Sequence, residues 1–198
     1  MSQTKQSWRR GDWMQTATGR AFYPLDPRAE DVCIQDIAHA LSQLCRFGGH
    51  CQRFYSVAEH SVLLSRYVVP GFQLWALLHD ASEAYLVDVP RPVKKQIPGY
   101  VEAERRVMRA ICERFGLDPL EPWAVKDADT RILADEARQL MAPPPMPWAG
   151  DNNPLGVTLQ FWDPLYARSE FLSRFEELRA ERLSFASRET GGADGGRM

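Results

Sequence analysis

The chain has 198 residues, 44% of them apolar and 25% charged, which suits one soluble domain with a sizeable core. A net charge of −2 supplies no general basic field for a nucleic acid polymer or an anionic membrane, although local charge in a cleft can still hold a small anion. No apolar run approaches the roughly 20 residues of a membrane span, and the first residues lead into no signal-peptide core. The four cysteines (Cys33, Cys45, Cys51, Cys112) form no C-x-x-C pair, so neither a disulfide framework nor a zinc knuckle is expected, and the expected compartment is a reducing cytoplasm.

Residues 1–30 read as an N-terminal arm, in which Trp13 to Pro24 alternates around Thr18-Gly19 and predicts a small β-hairpin. Residues 31–185 are helical in pattern. Ile37, Leu41, Leu44 and Cys45 share one stripe, with a helix start at or just before Asp36. After Gly48-Gly49, the run Ser56-Val57-Ala58-Glu59 reads as a capping box that starts a second helix and puts His60 in its first turn. Glu59 is then the reciprocal member of that box rather than a base. A third helix after Pro70-Gly71 carries His79, Asp80 and Glu83, and Pro90, Pro92 and Pro98 end it and keep the next segment extended. A fourth runs from about Tyr100 to Phe115 and stops at Gly116. A fifth spans roughly Trp123 to Leu140, with Val125, Ala128, Ile132 and Leu133 inward, Asp129 at the stripe's border, and Asp127 and Asp135 read as exposed. Residues 141–147 form a stiff proline-rich linker to a last helix near Leu165 to Leu183, whose seam is Phe171, Phe175 and Leu178. Residues 186–198 are Gly-rich and polar and are expected to be disordered. The fold class is all-α with a minor N-terminal hairpin, and no internal repeat is visible.

The chemistry concentrates at His79-Asp80, which ends the apolar run Leu74 to Leu78 and is followed by Glu83 and Asp88. An imidazole and a carboxylate carried out of a buried helix are costly unless a cation or a hydrogen-bond network satisfies them. His60 and Asp129 would arrive from two other helices, and two imidazoles with two carboxylates suit one divalent ion. Mn, Co, Fe, Ni and Zn all fit such a set. Glu83, four residues after His79, falls one helical turn along the same face and is placed to shuttle a proton. Arg46, His50, Arg53 and Lys94 flank these motifs and are candidates for an anionic phosphate. All four histidines lie at or before residue 79, so none falls between Asp80 and Asp129.

The set His60, His79-Asp80 and Asp129 resembles the H…HD…D signature of the HD-domain metal-dependent phosphohydrolases. The stretch Leu77 to Glu83 with Asp88 to Lys94 is similar to the bacterial HD-type 5′-deoxynucleotidases, and Arg46 to His50 with Phe54 to His60 is closer still to a prophage-associated and phage branch. The resemblance covers about residues 14 to 180. Arg46-Phe47 stands where the deoxynucleotidases usually carry Arg-Trp, with slightly different spacing to the histidine. The resemblance implies an HD helical bundle with metal ligands His60, His79, Asp80 and Asp129. It also implies catalytic roles for Glu83 and Asp88, and substrate contacts from Arg46 and Phe47. The absence of later histidines separates the chain from the two-metal HD phosphodiesterases and oxygenases, so a mononuclear site is expected. The implied substrate is a deoxynucleoside monophosphate. The alternatives are release of triphosphate from a deoxynucleoside triphosphate, and a non-catalytic nucleotide-binding module. Related HD nucleotidases self-associate, and the aromatics of the arm (Trp8, Trp13, Phe22, Tyr23) and of Leu159 to Trp162 look hard to bury in one domain, so a homodimer or higher oligomer is expected.

Overall fold

Met14–Gln15 (β1) pairs antiparallel with Ala21–Phe22 (β2), Met14 opposite Phe22, in a computed structural model that describes residues 8–146 and 153–191, the last seven by backbone only. Gly19, at φ 79°, makes the turn that a side chain would strain, and its N–H donates to the Thr16 carbonyl at 2.9 Å. The Thr18 amide and hydroxyl both donate to Asp36, at 2.7 and 2.9 Å. That use of Asp36 explains why α1 (Ile34–Gln43) starts at Cys33, ahead of the expected position: the carboxylate ties down the hairpin instead of capping the helix. Leu44 and Cys45 lie beyond the helix end, where Cys45 bridges to Ser56.

Ser56 caps α2 (Val57–Tyr67) by accepting the Glu59 N–H at 3.0 Å. The expected third helix is two pieces, α3 (Gln73–Leu78) and α4 (Glu83–Leu86). Between them the backbone tightens into bonds to the third residue back, Ala81 to Leu78 and Glu83 to Asp80, both 3.0 Å. At three residues per turn Glu83 therefore comes over Asp80 rather than His79. After α4 the chain passes through Val87 at φ 58° and ψ 162°, a backbone region that disfavours a β-branched side chain, and the Tyr100 hydroxyl pins it by donating to the Leu86 and Val87 carbonyls at 3.2 and 2.7 Å. The proline segment is not extended throughout. Pro90 precedes and Pro92 lies inside a short helix α5 (Arg91–Lys94), where a missing N–H costs nothing.

Two of the later helices follow their expected bounds and the last runs eight residues past its expected end. These are α6 (Tyr100–Phe115), closed by Gly116 in the left-handed region at φ 64°, α7 (Trp123–Leu140), and α8 (Pro164–Gly191). Helix α8 runs into the segment expected to be disordered, while 192–198, like 147–152 after the proline run, lie outside the described residues.

Two apolar clusters hold the helices together. Phe171, Phe175 and Leu178 of α8 pack with Phe22, Ile37, Leu41 and Leu77, and Phe22 stacks on Tyr85 at 3.7 Å between centroids. On the other side of α2, Leu64 and Trp75 meet Val125, Ile132 and Leu140 of α7 and Val157 and Leu159 of the strap leading into α8. Full burial of such side chains contributes about 1.5–3 kcal/mol each. Leu133 is only half-buried. Asp135, expected to be exposed, is buried and accepts the Leu155 and Gly156 N–H groups at 2.8 and 3.1 Å. The aromatics behind the expected self-association divide. Phe22 and Leu159 are buried within the chain and Arg9 covers the Tyr23 ring, whereas Trp8 and Trp13 stay 98% and 52% exposed. No helix among the described residues is long and apolar enough to cross a membrane.

Candidate metal centre

The first turn of α2, the break after α3 and the middle of α7 converge on one point. His60 Nε2 lies 3.2 Å from His79 Nε2 and 3.3 Å from Asp129 Oδ1, and His79 Nε2 lies 3.7 Å from the same oxygen. Ligand atoms from His60, His79 and Asp129 all sit within 4.8 Å of one another. Asp80 Oδ2 adds a fourth acceptor, 3.1 Å from His79 Nε2 and 3.7 Å from His60 Nε2. The four residues expected to bind metal are thus together.

Hydrogen bonding decides what the centre can hold. His79 Nδ1 meets the Ala76 carbonyl at 2.7 Å, and a carbonyl only accepts, so that nitrogen carries a proton. His60 Nδ1 meets Glu136 Oε1 at 2.6 Å. Burial acts to raise the Glu136 carboxyl, but Arg46 and His60 outweigh it and hold it below the usual range, so Glu136 also accepts. With their Nδ1 atoms so engaged, both rings turn Nε2 toward each other and toward two carboxylates, a cluster of atoms that suits a shared cation. Two nitrogens about 2.1 Å from one ion stand about 3.0 to 3.4 Å apart at right to tetrahedral angles, which brackets the observed separation. Orientation of each ligand imidazole by a carboxylate or carbonyl on its other nitrogen is the usual partner of metal binding. The donor set fits a divalent ion.

The charges around it agree. Burial opposes ionisation of Asp80, but His79 beside it holds the carboxyl down at about 2, and hydrogen bonds from the two histidines hold Asp129 well below its usual range against the same penalty. Burial would lower His79; Asp80 and Asp129 instead hold it well above the imidazole norm, so in the absence of another cation the centre draws a proton. Glu83 behaves oppositely. Burial pushes its carboxyl well up, nearby Asp80 and Asp88 push further, and its Oε2 makes no hydrogen bond among the described residues. Asp88 is raised by burial, with Arg46 pulling the other way.

The expected phosphate binders scatter. Arg46 points inward, its guanidinium bonded to Asp80 at 3.3 Å and Glu136 at 3.1 Å, which makes it a buried strut of the centre. Phe47, in the left-handed region at φ 56°, turns the chain there and packs on the second cluster beneath the Arg46 guanidinium. His50 is exposed on the loop. Arg53 lies over the Phe161 ring at 3.8 Å, and Lys94 pairs with Glu104. Only Lys94 lines the cleft of about 410 Å³ that opens onto His79, Asp80 and Asp129. A larger cleft of about 630 Å³, between α1, α6 and α8, is walled by arginines and apolar groups and contains none of the ligand residues.

Glu136 escaped the sequence reading. It lies seven residues after Asp129, two turns along the same face of α7, and that spacing was its only signal. Glu59 differs too. Its carboxylate does not turn back to the Ser56 end but accepts the N–H groups of Gln160, Phe161 and Trp162 at 2.7, 3.0 and 2.7 Å, anchoring the strap.

The chain is 44% identical over 128 residues to the uncharacterized protein YfdR of Escherichia coli strain K12, a match that spans 65% of this chain and 72% of that protein. It is 41% identical over 142 residues to an uncharacterized protein of Rhodobacter capsulatus, with the same shares covered. No family model matches the chain.

Proposed function

The chain belongs to the same family as YfdR, and from its convergent ligand set we propose that it is a metal-dependent phosphohydrolase with an HD-type helical bundle, acting on deoxynucleoside monophosphates to give nucleoside and phosphate. One observation carries the reading: two imidazoles, each oriented through Nδ1, turn their Nε2 atoms to each other and to Asp129 beside a cleft large enough for a small molecule. His60, His79, Asp80 and Asp129 would hold one divalent ion. Such an ion supplies Lewis acidity, which acidifies water and polarises a phosphoryl oxygen.

The protein's own groups do the rest. Glu83 takes the proton of the attacking water, a task suited to a carboxylate whose affinity for protons burial has raised. The bond from phosphorus to the sugar oxygen breaks, and that oxygen leaves as the alcohol after receiving a proton from the same carboxylate or from Asp88, also raised by burial. Arg46 fixes Asp80 and Glu136 in position through its two nitrogens. Glu136 in turn fixes the His60 ring.

The test is a phosphate-release screen of nucleotides with manganese, cobalt, zinc and magnesium, with products separated by chromatography. Phosphate and nucleoside from a deoxynucleoside monophosphate are expected, and Glu83→Gln should keep bound metal while lowering kcat about a hundredfold or more. Release from no nucleotide with any of the ions would end the proposal.

A further inference from the structure

We infer that Arg105 and Arg109 of α6 hold the phosphate of the substrate and that the cleft is matched to a single phosphate group; this rests on the phosphohydrolase reading above. One wall of the cleft is a continuous face of α6, with Glu104 and Met108 on one row and Arg105 and Arg109, four residues apart, on the next. The same cleft is lined by His79, Asp80 and Asp129. Arg105 and Arg109, both exposed, therefore share one 410 Å³ space with three of the four candidate ligands.

Other basic candidates are otherwise engaged. Arg46 is bonded to Asp80 and Glu136, Arg53 is stacked outside the cleft, and Lys94 lines it but is already paired with Glu104. Arg105 has an exposed partner in Glu102 at 3.5 Å, a contact of little strength, and Arg109 has no ion-pair partner among the described residues. Guanidinium groups suit this task, since their planar donor forks match phosphate oxygens in pairs.

Charge sets the size of the anion. Lys94, Arg105 and Arg109 stand against Asp80, Glu104, Glu121 and Asp129, so the wall carries one excess negative charge, and a divalent ion turns this into one positive charge. A phosphate monoester, at about −1.5 to −2 near neutral pH, more than offsets that charge and leaves the lining at about −0.5 to −1. Each added phosphate would bring more negative charge with no further cation among the described lining residues to meet it.

The experiment compares the full-length protein with Arg105→Ala, Arg109→Ala, the double variant and Arg109→Lys. Each alanine should raise KM for deoxyadenosine monophosphate, and Ki for inorganic phosphate, about tenfold to a hundredfold, as loss of a charged hydrogen bond implies, with kcat changed less. Ki for deoxyadenosine, which lacks the phosphate, should not move, and metal content should stay at the wild-type level; general loosening of the fold would shift both. Arg109→Lys should recover part of the loss. Calorimetric titration of inorganic phosphate into the metal-loaded proteins gives the same answer without turnover. Weaker binding to the double variant supports the pair even if no nucleotide is hydrolysed, and equal binding overturns it. A higher kcat/KM for deoxyadenosine triphosphate than for the monophosphate overturns the single-phosphate match.

Discussion

Glu59 and His60 are neighbours in the first turn of α2 and both are 0% exposed, yet they serve two different regions of the molecule. Toward the strap, Glu59 spends its oxygens on three backbone N–H groups, and burial raises its carboxyl in spite of them. Toward α7, His60 spends one nitrogen on Glu136 and leaves the other facing His79 and Asp129. Both are buried polar groups that need satisfaction. The strap carboxylate is satisfied by the chain's own N–H groups, whereas His60, His79 and Asp129 form a group that could hold a cation. Saturation, rather than burial or charge, separates a structural polar group from one open to chemistry.

The largest effect that could break this contrast comes from the ligands. His79→Ala or Asp80→Ala should abolish stoichiometric metal and lower turnover by orders of magnitude while far-ultraviolet circular dichroism stays unchanged. Metal retained at wild-type level in both variants, read by elemental analysis, removes the assignment. A sharper division comes from the two buried glutamates. Glu136→Gln should weaken metal binding about tenfold to a hundredfold by releasing the His60 ring. Glu59→Gln should leave metal affinity alone and cost about 1–3 kcal/mol of unfolding free energy in urea, because an amide cannot accept all three N–H groups. An equal loss of metal affinity in the two variants erases the distinction.

The smallest effect is on pH dependence. Without metal, His79 sits above the ordinary imidazole value of 6.5, so its contribution to stability is full below that pH and is lost as pH rises through the folded-state value. Asp80, Asp129 and Glu136 sit below the ordinary carboxylate range, so they contribute above it and lose that contribution as pH falls through their folded-state values. The metal-free protein should therefore have its highest Tm in the mildly acidic window between those ranges. Added divalent ion should move the maximum upward, since it replaces the proton on His79. Glu59, raised by burial, contributes below the usual glutamate value and loses this as pH rises, with or without metal. Melting curves across pH, with and without chelator, read both; a maximum that metal does not move contradicts the ligand role of His79.

The sequence carried the outline of this site but not its supports. Helices α6 and α7 were legible to their ends because Gly116 stops one and an unbroken apolar period runs through the other. The break between α3 and α4 was not, since Leu74 to Leu78 are all buried and no polar alternation marks where four-residue spacing gives way to three. The ligands His60, His79, Asp80 and Asp129 could be read because their order and residue types are unusual together. Arg46 was read as a phosphate binder because it flanks the metal motifs; its inward turn goes with Phe47 and Gly48 at φ 56° and 60°, which residue type alone does not announce. Glu136 and Asp135 look like ordinary helix carboxylates until the strap and α2 close over them. Long-range burial made them structural, and that information is not local.

Val87 has a further meaning for how the protein can change. A valine at φ 58° and ψ 162° costs about 1–3 kcal/mol, and the price is met one residue before Asp88 by the Tyr100 hydroxyl. Glycine would accept that backbone without tension, and it would equally accept many others, so the direction of Asp88 would no longer be imposed. Stability and alignment are thus opposed at a single exposed position.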